Sequence, residues 1–412
     1  MSRKGSNSLQ IRQYNERVVL EAIRKLGQAS KAEIARSANL TPQAVAGIVD
    51  ALHQAGYVVQ AGKRHGQIGQ PSVLYMPNAE RAFSIGLHVG RRSLNCLIID
   101  LSGRVLHRIT HEYVYPTPGD VAALALADIA HLQAHLPAAL RERIVGVGVS
   151  MPYFLGSWQR DLGFPDAIAA AWREFNLPDY LIKHTDYEIF FENDGSAAAT
   201  AQLVQGRGAA ESNFIYLYLS TVIGGGLVLG GNIETGPHGN AAAFNTFPVA
   251  RSRLSSVEPP NGVFELLQRR ASVFVLLKHL RAHGVKIERA SELASLEAAA
   301  QPYLREWQED CAEALAQAII GATSVVDVEA IIIDGILPPG PLAATVSLVQ
   351  SFVAALAPEG FVAPTIRQGE LGPSAAAVGA AVLPFYANFA PNNEVLANKF
   401  RVAARPLLRG NA

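Results

Sequence analysis

The stretch SKAEIARSANLTPQAVAGIVDAL runs from Ser30 to Leu52. Ser30-Lys31-Ala32-Glu33 is a capping box: the serine hydroxyl accepts an orphan N–H of the first turn, and the glutamate reaches back to the cap N–H. A helix follows to about Ala38, with Ile34 and Ala35 inward, and Asn39-Leu40 makes a turn. Thr41 caps the next helix, and Pro42 takes its first position, where no N–H is needed. Val45, Ile48, Val49 and Leu52 recur at helical spacing and mark its buried face. Two capped helices joined by a short turn predict a helix-turn-helix.

Upstream, Ile11, Tyr14, Val18, Ala22, Ile23 and Leu26 predict a first helix, closed by Gly27. Downstream of Gly56, two β-like runs, Tyr57–Gln60 and Ser72–Met76, flank a segment containing Lys63, Arg64 and His65. Three helices followed by a hairpin predict a winged helix-turn-helix over residues 1–79. These residues hold ten Lys/Arg against four Asp/Glu, a charge of +6, and the rest of the chain carries −6. A small basic head on an acidic body points to duplex DNA as the head's partner. Thr41, Pro42 and Gln43 open the recognition helix; Gln43 is the candidate base reader, because glutamine pairs bidentately with adenine. Lys63, Arg64 and His65 suit phosphates or a minor groove.

The chain has 412 residues, of which 49% are hydrophobic and 17% charged. That composition excludes a disordered chain. Cys96 and Cys311 are the only cysteines, which excludes a disulfide scaffold and a Cys-rich zinc cluster. The longest apolar stretch, Ala375–Ala387, is interrupted by Gly379 and Pro384 and falls short of the ~20 residues that span a bilayer. The first residues lack an apolar signal region. A cytoplasmic protein without a membrane partner is expected.

Beyond a linker near Pro77–Arg81, strand-like runs Phe83–Val89, Leu94–Asp100 and Arg104–Tyr115 are followed by Ala-rich helices. Further strands are predicted at Ile144–Val149, Tyr187–Phe191, Phe214–Leu219 and Val328–Ile333, with helices near Leu304–Ser324 and Leu342–Leu356. Strands alternating with helices argue for an α/β body.

Several motifs stand in order along this body: Val147-Gly148-Val149-Ser150-Met151-Pro152, Glu192-Asn193-Asp194-Gly195-Ser196-Ala197 and Ile223-Gly224-Gly225-Gly226. With Asn15-Glu16-Arg17-Val18-Val19-Leu20 and Gly56-Tyr57-Val58-Val59 in the head, the chain resembles the ROK family (repressors, open reading frames, kinases) over nearly its whole length. The resemblance implies a two-lobed actin-like, ribonuclease-H-like ATPase fold behind the head. The lobes would cover 83–195 and 196–385, the second with dimer contacts, and 386–412 would form a C-terminal helix or tail packing on the first lobe.

The chain departs from the family's kinases at defined places. Their Asp-x-Gly-Gly-Thr phosphate turn is here His88-Val89-Gly90-Arg91-Arg92. A side chain at the second glycine blocks close approach of phosphate to backbone, and histidine cannot replace a magnesium-binding carboxylate. Leu219–Gly226 is better preserved and reads as a structural turn, and Gly372-Pro373-Ser374 opens a helix near the family's adenosine region. The zinc motif, Gly-Glu-x-Gly-His followed by Cys-x-Cys-Gly-x-x-Gly-Cys-x-Glu, has become Ala242–Thr246 and Ser256–Glu265. Thr246 stands at the zinc histidine and Ser256, Glu258 and Val263 at the cysteines. Glu258 alone cannot hold a tetrahedral zinc, so no zinc is expected at this loop, and no cofactor.

By resemblance, Asn193, Asp194 and Glu265 would contact a sugar, while the two other family contacts have become Ala243 and Thr246. His238, Asn240 and Asn245 lie on the same segment as candidate replacements. For Asn193 and Asp194 the alternative is capping of the following helix. The resemblance implies a non-enzymatic transcriptional regulator, a repressor of carbohydrate-related genes. It would bind a sugar or derivative as effector, pair as a homodimer or homotetramer, and read an inverted-repeat operator. A sugar kinase with an appended head, and a regulator answering to another metabolite or a protein, remain open alternatives.

Overall fold

The computed structural model describes residues 8–64, 71–153, 155–156, 162–206, 211–260 and 262–391. The head is built from α1 (Ser8–Leu26), α2 (Lys31–Ala38) and α3 (Pro42–Gln54). Both halves of the capping box form at Ser30 and Glu33, and Asn39 closes α2 in the left-handed conformation. Thr41 accepts the Ala44 N–H and Pro42 sits in the first turn of α3. Val45, Val49 and Leu52 are buried and Ile48 half-buried.

A three-stranded sheet completes the head, with β3 (Ser72–Pro77) between β1 (Ala29–Ser30) and β2 (Val58–Arg64). Two features differ from the sequence reading. Ala29–Ser30 adds a strand by pairing with Tyr75 and Leu74, because the N-cap backbone of Ser30 is itself extended. And β2 runs past Gln60 through a register shift at Gln60/Gly62, so Lys63 and Arg64 lie on a paired strand. His65 and the tail from Asn392 fall outside the described residues.

The body holds two five-stranded sheets of the same order. In the first, β4 (Phe83–Val89), β5 (Ser93–Asp100) and β6 (Val105–Glu112) form an antiparallel meander, and β7 (Ile144–Ser150) and β8 (Ile189–Glu192) extend it in parallel, giving β6-β5-β4-β7-β8. Between them lie α4 (Pro118–His135), α5 (Asp166–Glu174) and α6 (Leu177–His184), and α7 (Asp194–Gln205) leads onward. In the second, β9 (Phe214–Leu219), β10 (Gly224–Leu229) and β11 (Asn232–Glu234) form the meander, and β14 (Ala330–Gly335) and β15 (Thr365–Gln368) extend it in parallel. The pair β12 (Pro248–Val249) and β13 (Glu265–Leu266) and the helices α8 (Gln268–Ala271), α9 (Val273–Ala282), α10 (Gln301–Thr323), α11 (Pro339–Leu356) and α12 (Ala375–Phe389) complete the body. Two such sheets, each 3-2-1-4-5 in local strand order, make the actin-like fold.

Helix α12 packs on α7 and on β4 and β7 of the first sheet, although it follows the second sheet in sequence. It passes through Gly379 and Pro384 without a break. Pro384 has no N–H for the Ala380 carbonyl. That freed carbonyl abuts Gly148 of β7, and on the other side Gly379 abuts the backbone of Ala197 in α7. A Cβ at either glycine would collide with backbone, so the close stacking of β7, α12 and α7 depends on both. Helix α11 has 18 residues and is apolar and long enough to cross a bilayer by length and composition alone; Leu342, Val346, Val349 and Val353 are buried against the body core, where α11 meets α10.

Candidate functional site

The Asn-Asp corner is built at the N-terminus of α7. Asn193 caps the helix, its side-chain oxygen accepting the Gly195 N–H at 3.0 Å, and Asp194 Oδ1 accepts the same N–H at 2.9 Å. Glu192, at the end of β8, accepts the Asn193 N–H at 2.8 Å and the Tyr153 hydroxyl at 3.0 Å. Burial pushes both the Glu192 carboxyl and the Tyr153 phenol upward, and their shared hydrogen bond raises the phenol further. Gly239 lies against the Tyr153 hydroxyl. Tyr153 thus links the loop carrying His238 and Asn240 to the Glu192–Asn193 corner. Tyr153 does not stand out in the sequence, because a lone Tyr carries no spacing signal, and Glu192 is marked there only as the first residue of the Glu192–Ala197 motif.

The turn after β4 is occupied by basic side chains. His88 and Arg91 are buried, and the negative charge of Asp194 acts on both. Burial lowers Arg91 to about 10 and lowers His88, with Asp194 opposing each shift. Arg92 donates to the Val114 carbonyl and lies over the Tyr115 ring at 5.0 Å. The two arginines that replace the phosphate turn's glycine and threonine are thus engaged by the protein itself: Arg91 is buried within reach of the Asp194 charge, and Arg92 is tied to the segment after β6.

The turn from Ser220 to Gly226 is held from within. Ser220 Oγ donates to the Val222 carbonyl at 2.6 Å, and buried Gln268 accepts the Ile223 N–H at 2.8 Å. A cleft of about 600 Å³ opens beside Asp334, Ile336, Leu337, Pro338, Gly369 and Pro373. The fully buried Asp334 accepts the Tyr216 hydroxyl at 3.0 Å and the backbone N–H groups of Leu371 and Gly372 at 3.1 and 3.0 Å. These N–H groups, just before α12, are spent on a carboxylate, and burial pushes that carboxyl up. An anionic phosphate at this wall would meet an acid already holding the available donors.

The segment after β11 packs against the α7 corner. Gly195 packs on Gly225, and Gly225 packs on Ala242 and Phe244, so the α7 corner and the Ala242–Thr246 turn share one wall. His238 and Asn240 are exposed and Asn245 is half-buried. Thr246 closes its own turn by donating to the Ala243 carbonyl at 2.9 Å. Glu265 pairs with Val249 across β12–β13 and is 2% exposed. Its Oε1 accepts the Leu266 N–H at 2.9 Å, Arg269 Nε stands 4.0 Å from Oε1, and Oε2 is buried with no hydrogen-bond partner among the described residues. A buried acceptor left open is the arrangement a hydroxyl donor of a ligand satisfies.

The family's zinc does not fit this loop, whose side chains supply no thiolate or imidazole at the motif positions. A buried ion pair fastens the segment instead. Arg270 meets Asp310 and Glu313, and Asp310 also accepts Ser252 Oγ at 2.9 Å and the Arg253 N–H at 3.0 Å.

In the head, Thr41, Pro42 and Gln43 are exposed at the start of α3. Arg64 Nη1 lies 2.6 Å from Glu33 of the capping box, and Lys31 Nζ lies 2.6 Å from Asp50 of α3. Lys63 is exposed beside Arg64. The wing strand is therefore joined to α2 by charge, and α2 to the recognition helix.

Residues 84–385 match the model of the ROK family. The xylose repressor of Bacillus spizizenii is 23% identical over 277 residues, 67% of this chain and 70% of that protein. A solved ROK family transcriptional regulator, a homolog of E. coli MLC protein, superposes with a TM-score of 0.63 at 19% identity, over 91% of this chain and 96% of that one. A ROK family glucokinase from Streptomyces griseus, solved with glucose and AMPPNP, gives a TM-score of 0.58 at 21% identity, over 73% of this chain and 99% of that one. Twin sheets of one order, an Asn-Asp corner at the head of α7 and a family match running from β4 through most of α12 leave one conclusion: the chain belongs to the ROK family.

Proposed function

We propose that the chain is a DNA-binding transcriptional regulator, a repressor of carbohydrate-related genes, whose kinase-like body binds a sugar or sugar derivative without phosphorylating it. The observation that carries this reading is Arg91 and His88 beside Asp194. Phosphoryl transfer needs phosphates and a magnesium ion positioned against the sugar's base. Here a buried cation and a buried imidazole sit within the field of that carboxylate, and Asp334 holds the N–H groups just before α12.

Asn193, Asp194 and Glu265 are the proposed effector contacts, with His238, Asn240 and Asn245 on the adjoining loop and turn. A polyol site needs several polar groups around one ligand; the Asn193–Asp194 corner, which packs on Gly225, and the open buried oxygen of Glu265 support this assignment. Thr41, Pro42, Gln43, Lys63, Arg64 and His65 are the proposed DNA contacts. Two heads on a symmetric homodimer, or a homotetramer, read an inverted repeat with half-sites spaced by whole helical turns. The protein acts in the cytoplasm.

The test is a thermal-shift screen of the full chain with sugars, sugar phosphates, sugar acids and polyols, followed by operator binding and ATP turnover with each hit. A hit that changes operator affinity, with the operator changing its affinity by the same factor, supports the reading. Asn193→Ala removes that response and leaves ligand-free DNA binding intact. The rival reading, a sugar kinase with an appended head, is favoured by the retention of Asp194. Sugar-dependent ATP turnover abolished by Asp194→Asn establishes the rival.

A further inference from the structure

A cluster of possible metal ligands lies outside the cleft, where α9 meets α10. His279 is in α9 and His283 lies just past its end, four residues on; Glu306 is in the first turns of α10. One ligand atom from each lies within 4.8 Å of the others. The spacing His-x-x-x-His puts both rings on one side of a helix, and Glu306 comes from the neighbouring helix.

The hydrogen bonds around the rings matter most. His283 Nδ1 faces the His279 backbone carbonyl at 3.0 Å. A carbonyl only accepts, so His283 carries its proton on Nδ1 and presents a lone pair at Nε2. Its ring is stacked on Tyr303 at 4.2 Å, which fixes its plane. His279 Nδ1 is bound to Ser256 Oγ at 2.8 Å. Its Nε2 is buried with no well-formed hydrogen bond among the described residues, and Glu306 Oε2 stands 3.3 Å away. For ligands about 2.0–2.1 Å from a tetrahedral zinc, the spacing between ligand atoms is about 3.3 Å. Partners on the far nitrogens are the usual means of aiming imidazoles at a metal.

We propose that His279, His283 and Glu306 bind one divalent transition-metal ion, zinc in the first instance, with water completing the coordination and Ser256 orienting His279. Two imidazoles and a carboxylate suit zinc, nickel, cobalt or iron rather than magnesium or calcium. Half of the Glu306 side chain surface is exposed, 52%, so the carboxylate can close the remaining distance to the rings without repacking the core. The ion would staple the end of α9 to α10 and to the turn at Ser256. That turn belongs to the loop where the family's cysteines are missing, so a metal would return to this region on a different ligand set. The sequence expectation of no metal was drawn from residues 242–265, and these ligands become one group only when α9 packs on α10. The signal available in the sequence was the His279–His283 spacing on a helical run.

The test uses the full chain stripped of metal. Zinc is titrated in by calorimetry, the melting temperature is followed with and without zinc, and cobalt(II) serves as the spectroscopic probe. We expect one equivalent to bind, a rise in melting temperature, and intense visible absorption of four- or five-coordinate cobalt. His283→Asn and Glu306→Gln each lower the affinity at least about 10-fold, and Ser256→Ala, which keeps all three ligands, lowers it about 10–100-fold. Absence of saturable one-to-one binding overturns the site. So does unchanged affinity in the first two variants, which would move the ion to the stacked rings of His107, His131 and His135. Where a variant does not fold, the parent's cobalt spectrum decides, since a weak octahedral spectrum also overturns it.

Discussion

Arg270 and Asp310 face each other as a fork on a carboxylate, with Nε 3.0 Å from Oδ2 and Nη2 2.8 Å from Oδ1, and both side chains are all but sealed from solvent. Arg270 Nη1 also donates to the Ala250 carbonyl at 3.1 Å. The pair reaches from α8 to α10 and fixes the chain just beyond β12. It stands beside the lost zinc loop and performs a comparable fastening without metal.

Removing one partner of such a pair strands a buried charge. Asp310→Asn, which leaves buried Arg270 with Glu313 as its one carboxylate, is expected to destabilise the body by about 3–5 kcal/mol, and Arg270→Met with Asp310→Leu by much less, because Glu313 then still pairs with Arg253. Urea unfolding of the three proteins checks this. Equal losses in the single and double variants would contradict the account.

Ala242 has φ 57, a left-handed backbone, at the position of the motif's first glycine. A Cβ there costs about 1–2 kcal/mol, while glycine loses about 0.5–1 kcal/mol more entropy on folding. Ala242→Gly should therefore raise stability by roughly 0.5–1 kcal/mol. A lower melting temperature would show that the strain is absent.

Lys63 and Arg64 are neighbours on β2 with different surroundings, since Arg64 is paired with Glu33. Each phosphate contact contributes about 0.9 to the slope of log affinity against log salt. Lys63→Ala is expected to flatten that slope by about one contact for every DNA sequence. Arg64→Ala should loosen the wing from α2 as well, lowering the head's melting temperature. Filter binding across salt concentrations together with calorimetry separates the two. Gln43→Ala should instead cost about 1–3 kcal/mol at one base pair and relax specificity there.

The Glu33 carboxyl is held at about 2 by the Ser30 N–H and hydroxyl, with Arg64 adding to the effect. An acid held ionised in the fold stabilises it above the unfolded pKa, and that contribution disappears as pH falls through the folded value. The capping box should therefore weaken between about pH 4.3 and about pH 2. Glu33→Gln should remove that acid-dependent part. Circular dichroism of parent and variant over this range measures the difference.

The sequence alone determined most of the local structure. Ser30, Glu33, Thr41 and Pro42 sit where they do in α2 and α3 because capping is a matter of a few adjacent residues, and β9 begins and ends where its apolar run predicts. The family motifs located the Asn193–Asp194 corner, and the altered turn at His88–Arg92 was visible as a change of residue type.

Tertiary structure decided what those residues meet. That Arg91 lies buried near Asp194, that Tyr153 ties Glu192 to the loop at Gly239, that α12 returns to the first sheet through Gly148, and that His279 faces Glu306 all depend on segments far apart in the chain. Capping and periodicity act over one or two turns of backbone and can be read in one dimension. Electrostatic and packing partners are chosen by how the sheets and helices stack, and no spacing in the sequence encodes that choice.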